Sequence, residues 1–434
     1  MNELDPIVIS GFALEAPGNV TSASEFWTAL RDRRDLMEPF PRDRGWGLEL
    51  LDPVPVELDL ERVPDAGGFL ADATRFDPDF FGISVDEAAA MDPQHWAALR
   101  VAWQALENAG VDPGRLVGEN VGCYIGISFT GHAPRSARID RLVGYRAAGM
   151  ALGGASGRIS QCLGIVGPSL SIDTACVSSL NALQTAVGAV RSGECEWALA
   201  GAVCVMNSPM AYYSFSRLRA LSEDGHCKSY SSEATGTVLG EAAGVLVVEH
   251  ESRARQMGRR VYARILGIGS THNGKSRLIS APSAQAQARL MRKTLQVAGV
   301  SADQVGLIEG HGTAKCADDR AELLALNEVY GLANGGRHRT AVGSVKSNIG
   351  HSQAAGGVMG MIKVLLCGVH GQIAPGLCTE NPSYDIDWET TSLALAQGLE
   401  SWPVCDDGMR YAAVSSFSVT GSNAHVLLGL PEQR

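Results

Sequence analysis

The stretch SLSIDTACVSSLNALQTAVGAV, residues 169–190, predicts a short strand, a turn and an amphipathic helix. The apolar face of that helix carries Leu180, Leu183, Val187 and Val190. Cys176 falls at or just before the helix N-terminus, where unpaired N–H groups and the positive end of the helix dipole stabilise a thiolate. The Cys176 amide could form half of an oxyanion hole. Taken alone, the stretch still favours a cysteine that merely packs at a capping turn.

Glycine punctuates the chain: 50 of the 434 residues are glycine, and they cluster where apolar runs meet helix-like runs. Examples are IVISGF, VGCYIGISF, ALAGAVCVM, GEAAGVLVVE and LIEGHGT. Short Val/Ile/Leu runs that end in glycine and alternate with helices indicate buried sheets covered on both faces. One of these helices, in SASEFWTALRDRRD, begins with Ser22 and Glu25 at capping-box spacing. The sequence therefore predicts an α/β protein.

The polar stretch EHESRARQMGRR, residues 249–260, is the best candidate boundary between two halves. We expect an N-terminal half at residues 1–252, with the candidate nucleophile, and a C-terminal half at 253–434. No flexible Gly/Ser or proline-rich linker separates them, so the halves are expected to pack as one body.

Composition excludes several classes of protein. The formal net charge of -11 comes without a basic stripe, which argues against nucleic acid or an anionic membrane as a partner. The N-terminal MNELDPIVISGF has acidic residues where a secretory signal would be basic, and no apolar run reaches the ~18 residues of a membrane span. The ten cysteines lack paired CxxC spacing, so no zinc site is expected. Free thiols and a cytoplasmic location are the natural expectation.

Two histidines lie in glycine-rich turns. LIEGHGTAK, residues 307–315, presents His311 just after a buried strand, and GSVKSNIGHSQAAGG, residues 343–357, presents His351 with Lys346 five residues earlier. A lone histidine in such a turn is more often structural. A helix-capping cysteine, two histidines and a lysine together suit thioester chemistry, because imidazole N–H groups stabilise enolates and tetrahedral oxyanions.

With these residues, the sequence resembles the β-ketoacyl synthases of the thiolase superfamily. It is more similar to the polyketide ketosynthases than to the fatty-acid ketosynthases. The resemblance runs from about residue 5 to about residue 430 in the family's order. It rests on DTACVSSL, EGHGTAKCADDRAE, KSNIGHSQAAGG and SSFSVTGSNAHVLL, supported by FDPDFFGIS, MDPQHWAALRVAWQALENAG, SAPSAQAQ and NPSYDIDW.

The resemblance implies roles for the catalytic residues. Cys176 would accept the acyl chain, while His311 and His351 would polarise the carbonyl of a second thioester and hold the enolate. Lys346 would orient the histidines and tune their charge, through the carboxylate of Glu322.

The resemblance also implies roles for residues around the reacting atoms. The amides of Cys176 and Val419 would form the oxyanion hole, and Phe417 and Ser418 would belong to a gating loop. Thr313 would hydrogen-bond the pantetheine arm of a carrier protein, with Lys315 beside it.

The implied fold is the duplicated five-layer α-β-α-β-α thiolase fold, usually an obligate homodimer. The implied partner is an acyl carrier protein whose phosphopantetheine delivers the substrate, so neither a cofactor nor a metal is expected. Because no acyltransferase domain or carrier motif follows in the sequence, we expect a free-standing enzyme whose carrier comes from another chain.

Departures from the family pattern cluster around the pocket mouth and its loops. HGTGT is HGTAK here, so Lys315 replaces a threonine, and GDPIE has become DDRAE. The gating loop SFGxSGTNAH reads SFSVTGSNAH, which puts Ser418 in a glycine position, and serine resists backbone excursions that glycine permits. A Phe-Asp pair is replaced by Tyr230 and Ser231. Cys176, His311 and His351 still match the family pattern.

Four functions follow from these residues. The first is a ketosynthase of a polyketide or hybrid peptide pathway that condenses the chain on Cys176 with a malonyl-type extender. The second keeps the acyl-enzyme but releases the chain by aldol-type or lactone-forming cyclisation, or transfers it without decarboxylation. The third is a silent partner that shapes chain length, although such a protein would normally have lost its cysteine. The fourth is a serine hydrolase, prompted by GHSQA at 350–354, which lacks the final glycine of G-x-S-x-G.

Overall fold

Strands and helices alternate along the chain as the glycine-punctuated sequence predicts. The computed structural model describes residues 5–48, 63–131, 141–276, 278–331 and 339–432. The strands are β1 Ile7–Glu15, β2 Val121–Gly126, β3 Ser169–Ile172, β4 Trp197–Cys204, β5 Ala242–His250, β6 Ala263–His272, β7 Val305–Glu309, β8 Thr340–Gly343, β9 Gln372–Ile373, β10 Leu393–Leu395, β11 Glu400–Ser401, β12 Met409–Phe417 and β13 Ser422–Pro431.

The helices are α1 Ala23–Arg31, α2 Val85–Ala90, α3 Pro93–Asn108, α4 Val143–Gly149, α5 Gly154–Leu163, α6 Ser178–Ser192, α7 Met210–Arg217, α8 Glu251–Gln256, α9 Ala284–Ala298, α10 Cys316–Leu326, α11 Lys346–Ile349 and α12 Gly356–His370. Helix α1 has the predicted capping box: the Ser22 side chain accepts the Glu25 amide, and the Glu25 carboxylate accepts the Ser22 amide.

The large sheet has eleven strands, which are two sets of five with the same topology and β10 added at the edge beside β8. Its order is β10-β8-β7-β12-β13-β6-β1-β5-β4-β2-β3. In the first set β2 pairs parallel with β3 and β4, and β5 pairs antiparallel with β4 and β1. In the second set β7 pairs parallel with β8 and β12, and β13 pairs antiparallel with β12 and β6. The two sets join through β1 and β6 by two residue pairs, Val8 with Arg264 and Ile9 with Ala263.

Side-chain alternation along the strands shows how the layers stack. In β5, Leu246 and Val248 belong to the central core with α6 and α12, whereas Val245 and Val247 pack with α3 and α5 on the outer side. In the second set, residues of β12 and β13 alternate in the same way between the central core and an outer layer of α9 and α10. The layer order is α-β-α-β-α, as predicted, because each set of five strands is covered by helices on both faces.

The polar stretch at residues 249–260 contains α8, whose Glu251 accepts hydrogen bonds from Arg255 and Arg264. The division of the chain after residue 252 stays a prediction.

One stretch qualifies the expectation about apolar runs. Gln353–His370 is long and apolar enough to cross a membrane, with a mean hydropathy of 1.2, but 83% of it is buried inside the protein. It is the central helix α12 with the turn before it, and strands of both sets pack against its apolar surface. Among the described residues, no cluster of three or more His, Cys, Asp or Glu side chains could hold a metal ion.

Candidate active site

Cys176 lies in a tight turn between the edge strand β3 and the central helix α6. The turn Ala175–Val177 forms one turn of 3-10 helix, and α6 begins at Ser178. Ala175 has φ +52°, a left-handed conformation that an alanine rarely adopts, and the Asp173 carboxylate fixes it by accepting the Ala175 amide at 2.9 Å. Cys176 is only 5% exposed. The strand, turn and helix predicted from the sequence are therefore confirmed.

His351 meets this cysteine from the second half of the chain. Its Nε2 lies 3.1 Å from Cys176 Sγ, and its Nδ1 accepts the Gln353 amide at 3.2 Å. Because Nδ1 is an acceptor, the neutral ring carries its proton on Nε2 and donates it to the sulfur. His351 in this tautomer stabilises negative charge on sulfur and does not act as a base toward it.

Close packing of the two central helices brings the cysteine and the histidine together. A Cβ at Gly357 of α12 would lie 2.6 Å from Ser179 Oγ of α6, so only glycine fits at this crossing. The Ser179 hydroxyl also accepts the Val358 amide at 3.1 Å. The small residues of SQAAGG thus let the N-termini of α6 and α12 meet.

His311 completes the group from the turn after β7. Its ring centroid lies 5.3 Å from that of His351 with the ring planes at 90°, and 5.7 Å from that of Phe417. His311 is 5% exposed, and its Nδ1 has no hydrogen-bond partner among the described residues. Two imidazoles and one thiol therefore face a common space.

Burial dominates the acid–base properties of these three groups. It raises the pKa of the Cys176 thiol to about 11, although Lys346 and a hydrogen bond from the Val419 amide lower it. Burial and then Lys346 hold the pKa of His311 and of His351 well below the ordinary imidazole value. The stabilisation of a thiolate expected from the helix end is outweighed, because burial penalises the charged sulfur. At neutral pH the resting site holds a thiol and two uncharged rings.

Lys346 and Glu322 lie behind the histidines. Both are nine-tenths or more buried, and burial lowers the pKa of Lys346 while the Glu309 and Glu322 carboxylates oppose that change. Glu322 Oε1 accepts the His311 amide at 2.7 Å, and Oε2 accepts the Gly312 amide at 2.9 Å. The two residues expected to act together therefore attract each other electrostatically, while these hydrogen bonds of Glu322 hold the backbone of the His311 turn.

The loop after β12 covers the sulfur. The Val419 amide lies near enough to Cys176 Sγ to lower its pKa, and the Ser416 hydroxyl donates to the Cys176 carbonyl at 2.7 Å. Phe417, between them, is buried against His311. The amide expected in the oxyanion hole is thus within hydrogen-bonding reach of the candidate nucleophile.

The Ser418 side chain stabilises the turn that follows it by hydrogen bonds to Thr420. Its side chain accepts the Thr420 amide at 3.1 Å and lies 2.8 Å from Thr420 Oγ1. From the other side, His272 Nε2 lies 2.9 Å from the Thr420 carbonyl, and the Asn273 amide donates to the Gly421 carbonyl at 2.8 Å. These bonds favour one closed conformation of the loop.

The predicted site residues share one narrow pocket. It is lined by Cys176, Phe215, Thr237, Asn273, Ser280, Pro282, Gln287, His311, Thr313, Lys315, Asp318, His351, Phe417, Ser418, Val419 and Asn423. Its cavity is about 30 Å³, far below the roughly 300–1,000 Å³ of pockets that hold drug-sized ligands. Phe417, Ser418 and Val419 of the loop after β12 form one wall of this narrow pocket.

An ion pair stands in this pocket. Lys315 Nζ lies 2.8 Å from Asp318 Oδ2, with side chains 24% and 22% exposed. Lys315 was expected in the pocket from the family pattern and Asp318 was not, although a Lys and an Asp three residues apart at a helix start are a recognisable pair. Thr313 is buried beside them, and its hydroxyl lacks a partner among the described residues.

A second cavity, of about 530 Å³, lies away from the cysteine and the histidines. It is lined by the start of β7, the chain before β12 and the edge strand β10, with Trp402, Cys405 and Tyr411 among its walls. None of the site residues predicted from the sequence lines it.

Known proteins match the chain along most of its length. The family model "Beta-ketoacyl synthase, N-terminal domain" matches residues 4–254, and "Beta-ketoacyl synthase, C-terminal domain" matches residues 262–380. The phenolphthiocerol synthesis polyketide synthase type I Pks15/1 of Mycobacterium bovis is 42% identical over 425 residues, 98% of this chain and 20% of the relative. The pikromycin polyketide synthase component PikAIII of Streptomyces venezuelae is 42% identical over 429 residues, 98% of this chain and 27% of the relative. The chain thus spans about a quarter or less of these relatives.

Solved structures agree with these sequence matches. The ketosynthase from module 6 of the bacillaene synthase of Bacillus subtilis 168 has a TM-score of 0.88 at 33% identity, covering 99% of this chain and 72% of that one. The oxazolomycin ketosynthase domain OzmH KS7 of Streptomyces albus JA3453 has a TM-score of 0.89 at 33% identity, covering 99% and 76%. The predicted thiolase fold is therefore confirmed. With both halves matched by the family models, the chain belongs to the β-ketoacyl synthase family.

Proposed function

We propose that this protein accepts an acyl chain on Cys176 from the phosphopantetheine of an acyl carrier protein and extends it by decarboxylative Claisen condensation with a malonyl-type thioester. The observation that carries the proposal is the hydrogen bond between His351 Nε2 and Cys176 Sγ, 3.1 Å, with the His311 ring 5.3 Å from the His351 ring. The polyketide synthases among its relatives support this reaction class.

In the loading step, the Cys176 sulfur attacks the carbonyl of the carrier-bound thioester. The developing thiolate is stabilised by hydrogen bonds from His351 Nε2 and the Val419 amide, and by the nearby positive charge of Lys346. The carbon–sulfur bond to pantetheine breaks, and the proton of the Cys176 thiol ends on the departing pantetheine thiol. The product is a thioester of Cys176.

In the condensing step, the malonyl carboxylate leaves as carbon dioxide and its bonding electron pair forms an enolate. Ring N–H groups of His311 and His351 hold the enolate oxygen, because burial keeps both rings uncharged. The enolate carbon attacks the Cys176 thioester, and the amides of Cys176 and Val419 hold the oxyanion. Collapse releases the β-ketoacyl chain on the second pantetheine, and the Cys176 thiolate takes a proton from solvent. The scheme uses neither a metal nor a cofactor.

We also propose that the protein works as a homodimer in the cytoplasm. Among the described strands, β3 has a neighbour on one side only, and its Leu170 is 44% exposed. The nearby Val166 is 68% exposed. An unpaired strand edge flanked by apolar side chains favours pairing with another copy of the chain.

A second function is favoured by the Lys315–Asp318 pair. The two charges stand beside Thr313, in the pocket that a pantetheine arm has to enter. An acyl-enzyme that cyclises its own chain needs no second pantetheine arm, because that step is intramolecular. This alternative uses the same Cys176 thioester and differs only in the fate of the chain.

One experiment separates the two functions. The protein is incubated with acyl-carrier and malonyl-carrier thioesters, and intact-mass spectra of protein and products are recorded for wild type and Cys176→Ala. Release of carbon dioxide with a product two carbons longer supports condensation and contradicts the cyclase. A cyclised product without carbon dioxide supports the second function. Loading that persists in Cys176→Ala would remove Cys176 from both.

A further inference from the structure

The turn that contains His311 packs against the side chain of Tyr230, which lies in a distant part of the sequence. Tyr230 lies between β4 and β5 in sequence, and its hydroxyl donates to Glu322 Oε2 at 2.8 Å. The same carboxylate accepts the amides of His311 and Gly312. One carboxylate therefore joins the Tyr230 hydroxyl to the backbone of His311.

Tyr230 is bonded to the other end of the turn through its backbone. Its amide donates to Asp319 Oδ2 at 2.8 Å, and Asp319 Oδ1 accepts the Ala314 amide at 3.1 Å. Tyr230 thus contacts both carboxylates of α10 that hold residues 311–314. All of these groups are nearly or fully buried, so water does not compete for the hydrogen bonds.

The glycines that flank His311 fit the Tyr230 side chain. A Cβ at Gly310 would lie 1.9 Å from the Tyr230 hydroxyl oxygen, and a Cβ at Gly312 would lie 2.9 Å from its ring. Tyr230 itself has φ +61°, a conformation that a bulky residue adopts only when its surroundings enforce it. The Tyr230 side chain therefore packs directly against the Gly310–Gly312 turn, and only glycine at positions 310 and 312 leaves room for it.

From this geometry we propose that Tyr230 is a positioning residue: its hydroxyl aligns the Glu322 carboxylate, which in turn sets the position of His311 for enolate stabilisation. The inference rests on the proposed function, because it assigns the effect to the step that uses His311. It adds a residue in which this chain departs from the family pattern, where a phenylalanine carries no hydroxyl.

The groups around Glu322 predict how the pH dependence of the rate changes when the Tyr230 hydroxyl is removed. Burial raises the pKa of Glu322, while the amides of His311 and Gly312, the Tyr230 hydroxyl and the positive charge of Lys346 lower it. The carboxyl of Asp319, on the same helix, is a like charge when ionised. Removing the hydroxyl takes away one group that favours the carboxylate, so the pKa of Glu322 rises. A rate that needs ionised Glu322 then begins to fall at a higher pH on its acid side.

The test compares three variants that each remove one buried hydroxyl. Tyr230→Phe removes the bond to Glu322. Ser229→Ala removes a bond of 2.6 Å to the Gly312 carbonyl and leaves the carboxylate untouched. Tyr330→Phe removes a bond of 2.8 Å to His425 Nε2 elsewhere in the fold. Acylation of Cys176, condensation rate against pH, and thermal unfolding are measured for each protein.

We expect Tyr230→Phe to load Cys176 at close to the wild-type rate, to condense about tenfold more slowly, and to shift the acid limb of its pH profile upward. In Ser229→Ala and Tyr330→Phe the condensation rate should fall on the acid side at the same pH as in the wild type. An unshifted limb in Tyr230→Phe, or an equal shift in Ser229→Ala, overturns the proposal. Failure of the wild type to load Cys176 would instead contradict the proposed function, so the two failures are distinguishable.

Discussion

His351 Nε2 lies 3.1 Å from Cys176 Sγ, although the two residues are 175 positions apart in the chain. Each residue follows the third strand of its own set of five, and each stands before a 15-residue central helix, α6 or α12. Since the two sets share one topology, the turn after β3 and the turn after β8 occupy corresponding positions. The site forms where these two helix N-termini meet.

Replacing Cys176 by alanine should abolish loading. Since Cys176 is the only thiol among the described residues that line the pocket, we expect acyl transfer to fall on the order of a thousandfold or more. Intact-mass spectrometry after incubation with an acyl thioester measures this directly. Cys405→Ala, at the distant cavity, is the matched control and should load normally.

Alkylation of Cys176 by iodoacetamide should be slow at neutral pH and accelerate as pH approaches about 11, because burial raises its pKa to that value and the thiolate is the reactive form. Lys346→Met removes the charge that lowers this pKa. Its alkylation profile should therefore move to still higher pH. A profile that stays in place in Lys346→Met would contradict the electrostatic role of Lys346.

Removing the Lys315–Asp318 ion pair should show whether its charges hinder entry of the pantetheine arm of the malonyl carrier thioester. In Lys315→Thr/Asp318→Gly we expect condensation with a malonyl carrier thioester to rise by roughly tenfold, because a neutral pantetheine arm no longer has to pass two charges. The free energy of unfolding should fall by about 1–2 kcal/mol, since the pair is only partly exposed and position 318 lies within α10, where glycine is unfavourable.

The matched control for that variant is Lys228→Thr/Asp224→Gly, which removes another Lys–Asp pair, 2.6 Å apart, away from the pocket. It should leave the condensation rate unchanged. Equal rates in both double variants and wild type would mean that Lys315 and Asp318 do not limit access of the arm.

Glycine at position 418 should loosen the closed loop. We expect Ser418→Gly to accelerate loading of bulky acyl thioesters by roughly two- to fivefold, because glycine widens the backbone conformations open to the turn. Ser418→Ala separates the two causes, since it removes only the hydroxyl bonded to Thr420. Stopped-flow loading rates measure both, and equal rates in Ser418→Gly and Ser418→Ala would assign the effect to the hydroxyl.

A charge on the β3 edge should dissociate the proposed dimer. We expect Leu170→Asp to halve the mass measured by light scattering, because an aspartate cannot be buried cheaply in a strand-to-strand interface. Val297→Asp places the same charge on α9, where Val297 is 62% exposed, and should leave the mass unchanged. A wild type that is monomeric at all concentrations would contradict the dimer.

The sequence by itself determined the α/β class, the position of Cys176 between a strand and a helix, and the turns that carry His311 and His351. These are local features, because glycine placement, apolar periodicity and capping residues act within a few positions along the chain. The capping box of Ser22 and Glu25 belongs to the same class. Family motifs added the five layers and the expected partners of each residue.

Only the tertiary structure decided how the pieces interact. Burial sets the protonation state of Cys176, and the Gln353 amide sets the tautomer of His351; neither can be read from spacing. The contact of Tyr230 with Glu322 joins residues 92 positions apart, and the pairing of Lys315 with Asp318 matters because both side chains line the pocket of Cys176. Such contacts depend on how two similar halves pack against each other, and that packing arises from the whole chain.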